Sequence, residues 1–277
     1  WELISAGYRN AFDFDVNEVG DIFAYDADME WDFGMPWYRP TRINHATSGS
    51  EFGWRTGNSK WSPNYPDNLP AVLNIGQGSP TNAMFGFKAN FPSKYKKALY
   101  AFDWSFGIIY AIHLTPNGAT YDATAEEFIS GSPLPLTDGI IGPDGAFYFA
   151  TGGRRLESDL YRVTYKGELD TYVPMTEADL PKEAKIRREL EQFHRTGAPA
   201  EGIEKAWAQL GHEDRYVQYA ARLVLEHQPV ASWKGKALAE PDAAKKMQAI
   251  LALARHGSSA DAAAMFNSLM QVDYKKL

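Results

Sequence analysis

The sequence has 277 residues, of which 44% are hydrophobic, 23% charged and 14% aromatic; this excludes disordered and low-complexity chains and leaves room for one large domain or two ordinary ones. Lys and Arg number 28 against 35 Asp and Glu, and a net charge of -7 argues against a nucleic-acid partner, because neutralising phosphates needs a basic surface. There is no Cys, and no apolar run reaches the length of a membrane span, so disulfides, thiolate metal sites, Cys nucleophiles, covalently attached haem and a transmembrane segment are excluded from this stretch.

Composition changes at Gly167. Residues 1–167 hold 18 of the 23 Gly, 11 of the 16 Pro and 30 of the 38 aromatics (8 Trp, 15 Tyr and 15 Phe), whereas residues 168–277 hold 20 Ala and place apolar residues at helical spacing. The first part reads as β and the second as α. Most of the acidity lies in the β part, with 13 basic against 19 acidic residues there and 15 against 16 afterwards. Beginning at Trp1, the chain reads as a processed protein or a piece of a longer one.

The first strand candidate in chain order, residues 21–25, lies inside the most unusual stretch. Residues 13–32 contain eight acids (Asp13, Asp15, Glu18, Asp21, Asp26, Asp28, Glu30 and Asp32) and neither Lys nor Arg. In an extended chain Asp26, Asp28, Glu30 and Asp32 share one face, with Tyr25, Ala27, Met29 and Trp31 on the other. Four like charges on one face need compensation. A hard cation such as Ca²⁺ supplies it through oxygen ligands, although the EF-hand pattern fails here; ion pairing to Arg39 and Arg42, or exposure to solvent, are the other readings.

Further strands are expected at residues 71–75, 98–102, 107–112, 146–150 and 159–165. Hairpin turns are expected at Pro116-Asn117-Gly118 and Pro143-Asp144-Gly145. A strand, a turn and a strand ending in Tyr-Ala-Ile (110–112) or Tyr-Arg-Val (161–163) recur. Recurrence of this kind suggests a radially repeated sheet, about three blades of a β-propeller at roughly residues 1–55, 70–130 and 133–167. Three blades do not close a ring, so the remainder is expected from the rest of a longer chain or from a partner subunit.

Helices are expected over residues 181–194, 203–210, from Glu213-Asp214 to His227-Gln228, 242–256 and 259–270. Paired helices joined by short Pro or Gly breaks suggest a HEAT-like solenoid. The expected division is therefore a partial β-propeller at 1–167, a linker at 168–180 and HEAT-like helices at 181–277.

Chemistry-bearing candidates are few. Arg9 beside Asn10 joins a forked cation to an amide, a pair able to hold an anionic or quinone oxygen. Arg154 and Arg155 follow Gly152-Gly153, where propeller loops face the central channel or the opposite rim; they read as cofactor contacts or as exposed ion-pairing residues. The six His show no zinc spacing, and His113 reads as a hydrogen-bonded structural residue.

Gly7-Tyr8-Arg9-Asn10, residues 20–26 and the run from Arg42 to Trp54 resemble the six-bladed propellers of soluble quinoprotein glucose and sorbosone dehydrogenases. Residues 141–149 with 160–165 are similar to the Gly-Pro-Asp-Gly blade signature of that family. Residues 25–32, 36–44 and 113–118 resemble a subgroup, the PVC-type haem-binding proteins of membrane-bound dehydrogenase type, in which HEAT-like helices similar to 214–222 and 225–229 follow the propeller.

The resemblance implies a quinone contacted at Arg9 and Asn10 and a Ca²⁺ loop near Asp28 and Met29. Ser105 stands where the pattern has a quinone-contacting Lys. The general-base His and a Cys-x-x-Cys-His haem region are implied outside this chain. Two functions follow as expectations. One is a fragment of an extracytoplasmic, sugar or alcohol dehydrogenase-like redox protein passing electrons to a haem domain elsewhere; the other is a non-catalytic docking scaffold.

Overall fold

Alternating strands and Gly-centred turns fold the first part of the chain into three successive antiparallel sheets. The computed structural model describes residues 1–29, 38–57 and 59–274. After a short strand β1 (Ser5–Ala6), the first sheet contains β2 (Asp13–Val16), β3 (Ile22–Asp26) and β4 (Thr41–Ala46). The chain then makes an excursion carrying β5 (Ser50–Glu51), β6 (Trp54–Arg55) and β7 (Ser59–Lys60), and returns as β8 (Leu73–Gly76) to complete the sheet in the order β2-β3-β4-β8. In the excursion β5 lies parallel to β1 while β6 and β7 form a hairpin.

The second sheet is a meander of β9 (Pro80–Phe85), β10 (Leu99–Asp103), β11 (Ile108–Asn117) and β12 (Thr120–Ser130), with a single helical turn α1 (Ser93–Lys96) between the first two. The third contains β13 (Leu136–Ile141), β14 (Phe147–Thr151) and β15 (Leu160–Val163). Gly118 and Gly145 take positive φ at the two expected hairpin turns, 54° and 73°.

The first strand of each sheet lies beside the first strand of the next, in the same direction. Asp13 and Asp15 of β2 accept hydrogen bonds from the Ala83 and Phe85 backbone N–H groups of β9 at 3.3 and 2.7 Å. On the other side of β9, the Thr81 hydroxyl donates to the Leu136 carbonyl and the Asn82 amide to Asp138 Oδ1, at 3.0 and 2.7 Å. Both registers ascend together. Four-stranded meanders set side by side through parallel first strands are the arrangement of propeller blades, here two complete blades and a three-stranded one.

Sheet stacking explains the apolar continuity of β10, all of whose residues are buried. Leu99 and Ala101 pack with Phe23, Tyr25 and Ile43 of the first sheet, while Tyr100 and Phe102 pack with Leu136, Phe147 and Phe149 of the third. Each of the large apolar side chains among them contributes about 1.5–3 kcal/mol on burial. Gly7 is required by its surroundings: at φ +81° a Cβ would stand 1.7 Å from a Glu51 carboxylate oxygen and 2.6 Å from the Gly53 nitrogen.

The chain divides into the units Trp1–Asp179 and Leu180–Leu277. Residues 168–179, read from the sequence as a linker, fall in the first unit. Asp170 accepts the Ser93 N–H at 2.5 Å, Tyr172 donates to Glu18, and Lys96 lies over the Tyr172 ring at 5.3 Å.

The second unit is helical: α2 (Lys182–Glu191), α3 (Glu201–Gln209), α4 (Arg215–His227), α5 (Lys234–Ala239), α6 (Ala243–His256) and α7 (Ala262–Leu269). Helix α4 packs against α2, α3 and α6, and α6 against α5 and α7. Asp214 precedes α4 as its N-cap, accepting the Tyr216 and Val217 N–H groups, instead of lying in its first turn as the sequence suggested. Asp242 caps α6 through the Lys245 N–H. The short α5 was missed in the sequence because its six residues are too few to display a period.

Candidate functional site

Because β2, β9 and β13 run in one direction, the segments preceding them share one end of the sheet unit with the β3–β4, β10–β11 and β14–β15 connections. This end collects Arg9, Asn10, Asp26, Asp28, Ser79, Asp103, Trp104, Ser105, Arg154 and Arg155. Hydrogen bonds join much of it across the blades. Gly78 N–H donates to Asp28 at 3.4 Å, Ser79 N–H to Asp103 at 3.0 Å, Trp104 N–H to the Ser79 carbonyl at 3.0 Å and the Trp104 indole to the Gly152 carbonyl at 2.9 Å.

At the centre of the first blade lies Asp26, which is fully buried. Its Oδ1 accepts the backbone N–H groups of Arg9 and Asn10 at 2.9 and 3.0 Å. Its Oδ2 accepts from Arg42 Nε and Nη2 at 3.0 and 2.9 Å and lies 3.6 Å from Lys60 Nζ. Antiparallel register puts the pair together, since Asp26 stands opposite Arg42 on adjacent strands. Thus Arg9 and Asn10 meet Asp26 through their backbone, a role that their side-chain chemistry does not announce.

Lys60 is buried at 4% exposure and donates to the Ala27 and Pro40 carbonyls at 2.6 and 2.9 Å. Burial, followed by repulsion from Arg42, lowers its amine to about 7 despite the attraction of Asp26 and Asp28. Arg42 is itself lowered by burial, with Asp26 opposing. Arg39 contributes to this region through its backbone, which bridges to Met29.

Asp103 closes β10. Its Oδ1 accepts three N–H groups, from Ser79, Ser105 and Phe106, at 3.0, 2.8 and 3.3 Å, while its buried Oδ2 has no hydrogen-bond partner among the described residues. Burial raises its pKa against the pull of those three donors. Gly78 makes this packing possible, since a Cβ there would stand 2.4 Å from Asp103 Oδ2.

Arg154 and Arg155 occupy the two central positions of a tight turn closed by the Leu156 N–H to the Gly153 carbonyl at 3.0 Å. Both take left-handed backbone conformations, φ 49° and 66°, and both are exposed, with the Arg154 guanidinium 5.0 Å from the Trp104 ring centroid. Two consecutive non-glycine residues at positive φ are uncommon and cost on the order of 1–2 kcal/mol each.

The acidic stretch is taken up by several kinds of partner, the expected ion pair to Arg42 among them at Asp26. Asp13 and Asp15 bind the next blade, Glu18 accepts from Tyr172, and Asp21 accepts the Tyr121 hydroxyl at 2.6 Å with His45 at 3.3 Å. Asp26 has cations and N–H groups, and Asp28 the Gly78 N–H. Glu30 and Asp32 lie outside the described residues. Among the described residues no group of three or more His, Asp and Glu side chains is placed to hold a metal ion. Four N–H groups donate to Asp26 and Lys60 Nζ lies 3.6 Å from it, so positive partners from the protein already surround the carboxylate where Ca²⁺ was expected.

Lys60 and Asp103 went unnoticed in the sequence. Lys60 is a lone cation in a turn-rich loop. Asp103 had a usable signal: it is an acid ending a continuous apolar run. His113 lies away from this end, on β11, where Glu126 accepts from it at 2.9 Å and from Tyr95 and Lys94; the hydrogen bonds of Lys94, then His113 and Tyr95, bring Glu126 down to about 2.

No family model and no curated protein matches the chain. Among solved structures, its backbone is similar to a glucose dehydrogenase from Thermus thermophilus (19% identity, 58% of this chain and 46% of that one, TM-score 0.46). It is also similar to the PQQ-bound aldose sugar dehydrogenase of Streptomyces coelicolor (14%, 58% and 44%, 0.43) and to the apo-form of the soluble aldose sugar dehydrogenase of Escherichia coli (16%, 54% and 43%, 0.42). The chain spans less than half the length of each. Its blade-like character rests on its own strand order and directions.

Proposed function

We propose that this chain is the propeller and helical part of an extracytoplasmic dehydrogenase-like redox protein of quinoprotein type, whose loop-bearing end takes an anionic redox ligand. The observation that carries the reading is the Arg154-Arg155 turn. Strain retained by two exposed arginines at a blade end signals selection for what the side chains do there, because Asn-Gly would make the same turn without it.

A quinone bearing carboxylates suits these groups. Arg154 and Arg155 would bind its acidic edge as forked donors, with Trp104 offering a flat apolar surface beside them and Arg9 and Asn10 at the same end. When bound, such a quinone supplies the two-electron acceptor chemistry that side chains lack. The electrons would pass to a haem domain outside these residues, and the helical unit, whose consecutive helices pack on their neighbours, would serve as a HEAT-like docking surface.

The outer faces of the blade stack support completion of the ring by further sequence or a partner subunit. Phe12 and Phe14 at one face and Ile140 and Leu160 at the other are 59–74% exposed, more apolar surface than an isolated sheet leaves in water.

The test is an absorption spectrum and dye-coupled oxidation of sugars and alcohols by the native full-length protein. Haem or quinone bands with dye reduction, lost in Arg154→Ala/Arg155→Ala, are expected. A colourless, inactive protein would instead establish the scaffold reading.

A further inference from the structure

Oxygen atoms of three residues face the buried Lys60 Nζ. Two backbone carbonyl oxygens, of Ala27 and Pro40, accept from it at 2.6 and 2.9 Å, and the Asp26 carboxylate lies at 3.6 Å. Carbonyl and carboxylate oxygens on a buried centre are the donor set of a hard cation. An ammonium is compact, carries three N–H donors and a unit charge, and meets the same oxygens by donation.

Asp26 and Asp28 attract Lys60, and Arg42 holds Asp26 from the other side. Burial and Arg42 outweigh that attraction, so what keeps the amine in place is donation to the Ala27 and Pro40 carbonyls, which its neutral form also makes.

We propose that the Lys60 amine is a built-in substitute for a metal ion: by donating to the Ala27 and Pro40 carbonyls beside Asp26 it occupies the oxygen cage that the acidic strand would otherwise offer to a cation, so this end of the sheet unit assembles without calcium. The proposal is independent of the dehydrogenase reading, since it concerns only how the first blade is held together. It assigns Lys60 a positioning role, joining the end of β3 to the residue before β4 through an amine brought in by the β6–β7 excursion.

Chemical rescue tests it. Wild type and Lys60→Ala are melted with chelator, with Ca²⁺, with ethylammonium and with tetramethylammonium, the last having charge but no N–H to donate. The wild-type Tm should ignore chelator and Ca²⁺. The variant should melt lower and recover by about 3 °C with ethylammonium at about ten times its Kd, and not with tetramethylammonium. A wild-type Tm that falls with chelator and returns with Ca²⁺ would overturn the proposal, as would a variant indifferent to ethylammonium. Should Lys60→Ala fold only when ethylammonium is present, the cage is a cation site as proposed; should it stay unfolded with every ion, the amine acts otherwise and the proposal fails.

Discussion

Arg42 in the sheet unit and Arg222 in the helical unit are both buried guanidiniums, at 6% and 0% exposure, but they are neutralised on different scales. Arg222 finds Glu226 one turn along its own helix at 3.1 Å and stacks on Tyr219 at 4.8 Å, and it also donates to Gln248 of α6 at 3.2 Å. Arg42 bonds to Asp26, 16 residues away, and to the Gly7 carbonyl, 35 away, and shares Asp26 with Lys60. A helix presents its ion pairs at i and i+4, so they can be read from the chain, whereas a sheet assembles them by register. For these two guanidiniums the charge partner on the helix is legible in the chain, and the one across the sheet is not.

The sharpest way to break this comparison is to remove one partner from each pair. Asp26→Ala should cost about 3–5 kcal/mol, because it leaves Arg42 buried without its charge partner and strands the Arg9 and Asn10 N–H groups. Arg222→Met, which replaces the cation with a flexible apolar chain, should cost only about 1–3 kcal/mol, since Glu226 retains Arg255 and His256 at 3.3 and 3.2 Å. Denaturant unfolding of the two variants checks this. Equal losses would mean that sequence separation does not distinguish the two networks energetically.

A pH series separates the units next. Lys60 has a folded-state pKa of about 7 against an ordinary value of 10.5, so between these values the unfolded chain binds more protons than the folded one. Stability contributed at this site is thus lowest below pH 7 and rises with pH across the window, by at most about 1.4 kcal/mol per pH unit for one proton. Lys60→Met should abolish that positive slope. A wild-type stability that falls from pH 7 to 9 by the same amount in both proteins would assign the pH dependence to other groups.

What was legible follows the same division. Residues 98–102, 107–112 and 146–150 each appear as strands shifted or extended by a few residues, and the turns at Gly118 and Gly145 fall where Asn-Gly and Asp-Gly require them. Strands β2, β4, β9, β12 and β13 and the two-residue strands β1, β5, β6 and β7 were not anticipated. Strands β2 and β9 carry polar residues that bond to a neighbouring blade, β4 buries Arg42, Asn44 and His45, and β12 carries charged residues, so none of these four shows an apolar run. Of the site, Arg9, Asn10, Asp26 and Asp28 were legible as unusual residues, but their partners were not: an acid that accepts backbone N–H groups leaves no signature in the donor's side chain. Arg154 and Arg155 were noticed for their charge, while their backbone strain is visible only in the fold.

In the helical unit the legible feature with a measurable consequence is the cap. Asp214→Ala should cost about 1 kcal/mol by exposing the Tyr216 and Val217 N–H groups at the start of α4, and Asp214→Asn should recover most of it, because an amide oxygen also accepts there. Thermal melts followed by circular dichroism at helical wavelengths distinguish this from a loss of charge alone. If the Asn variant fell as far as Ala, the carboxylate charge rather than the hydrogen bond would be what the helix start uses.

The smallest expected change in stability bears most directly on function. Replacing Arg154-Arg155 by Asn-Gly keeps the two-residue turn between Gly153 and Leu156 and removes the strain of two left-handed arginines, so the variant should gain about 1 kcal/mol, less whatever the contact of Arg154 with Trp104 contributes. A turn that becomes more stable when its natural residues are removed has those residues for another reason. In the full-length protein the variant should therefore melt slightly higher while losing ligand-dependent absorbance and dye reduction. A variant that is both more stable and fully active would show that the arginine pair is not the anion-binding element of this end. One that is less stable would show that stacking on Trp104 outweighs backbone strain, and would remove the observation on which the functional proposal rests.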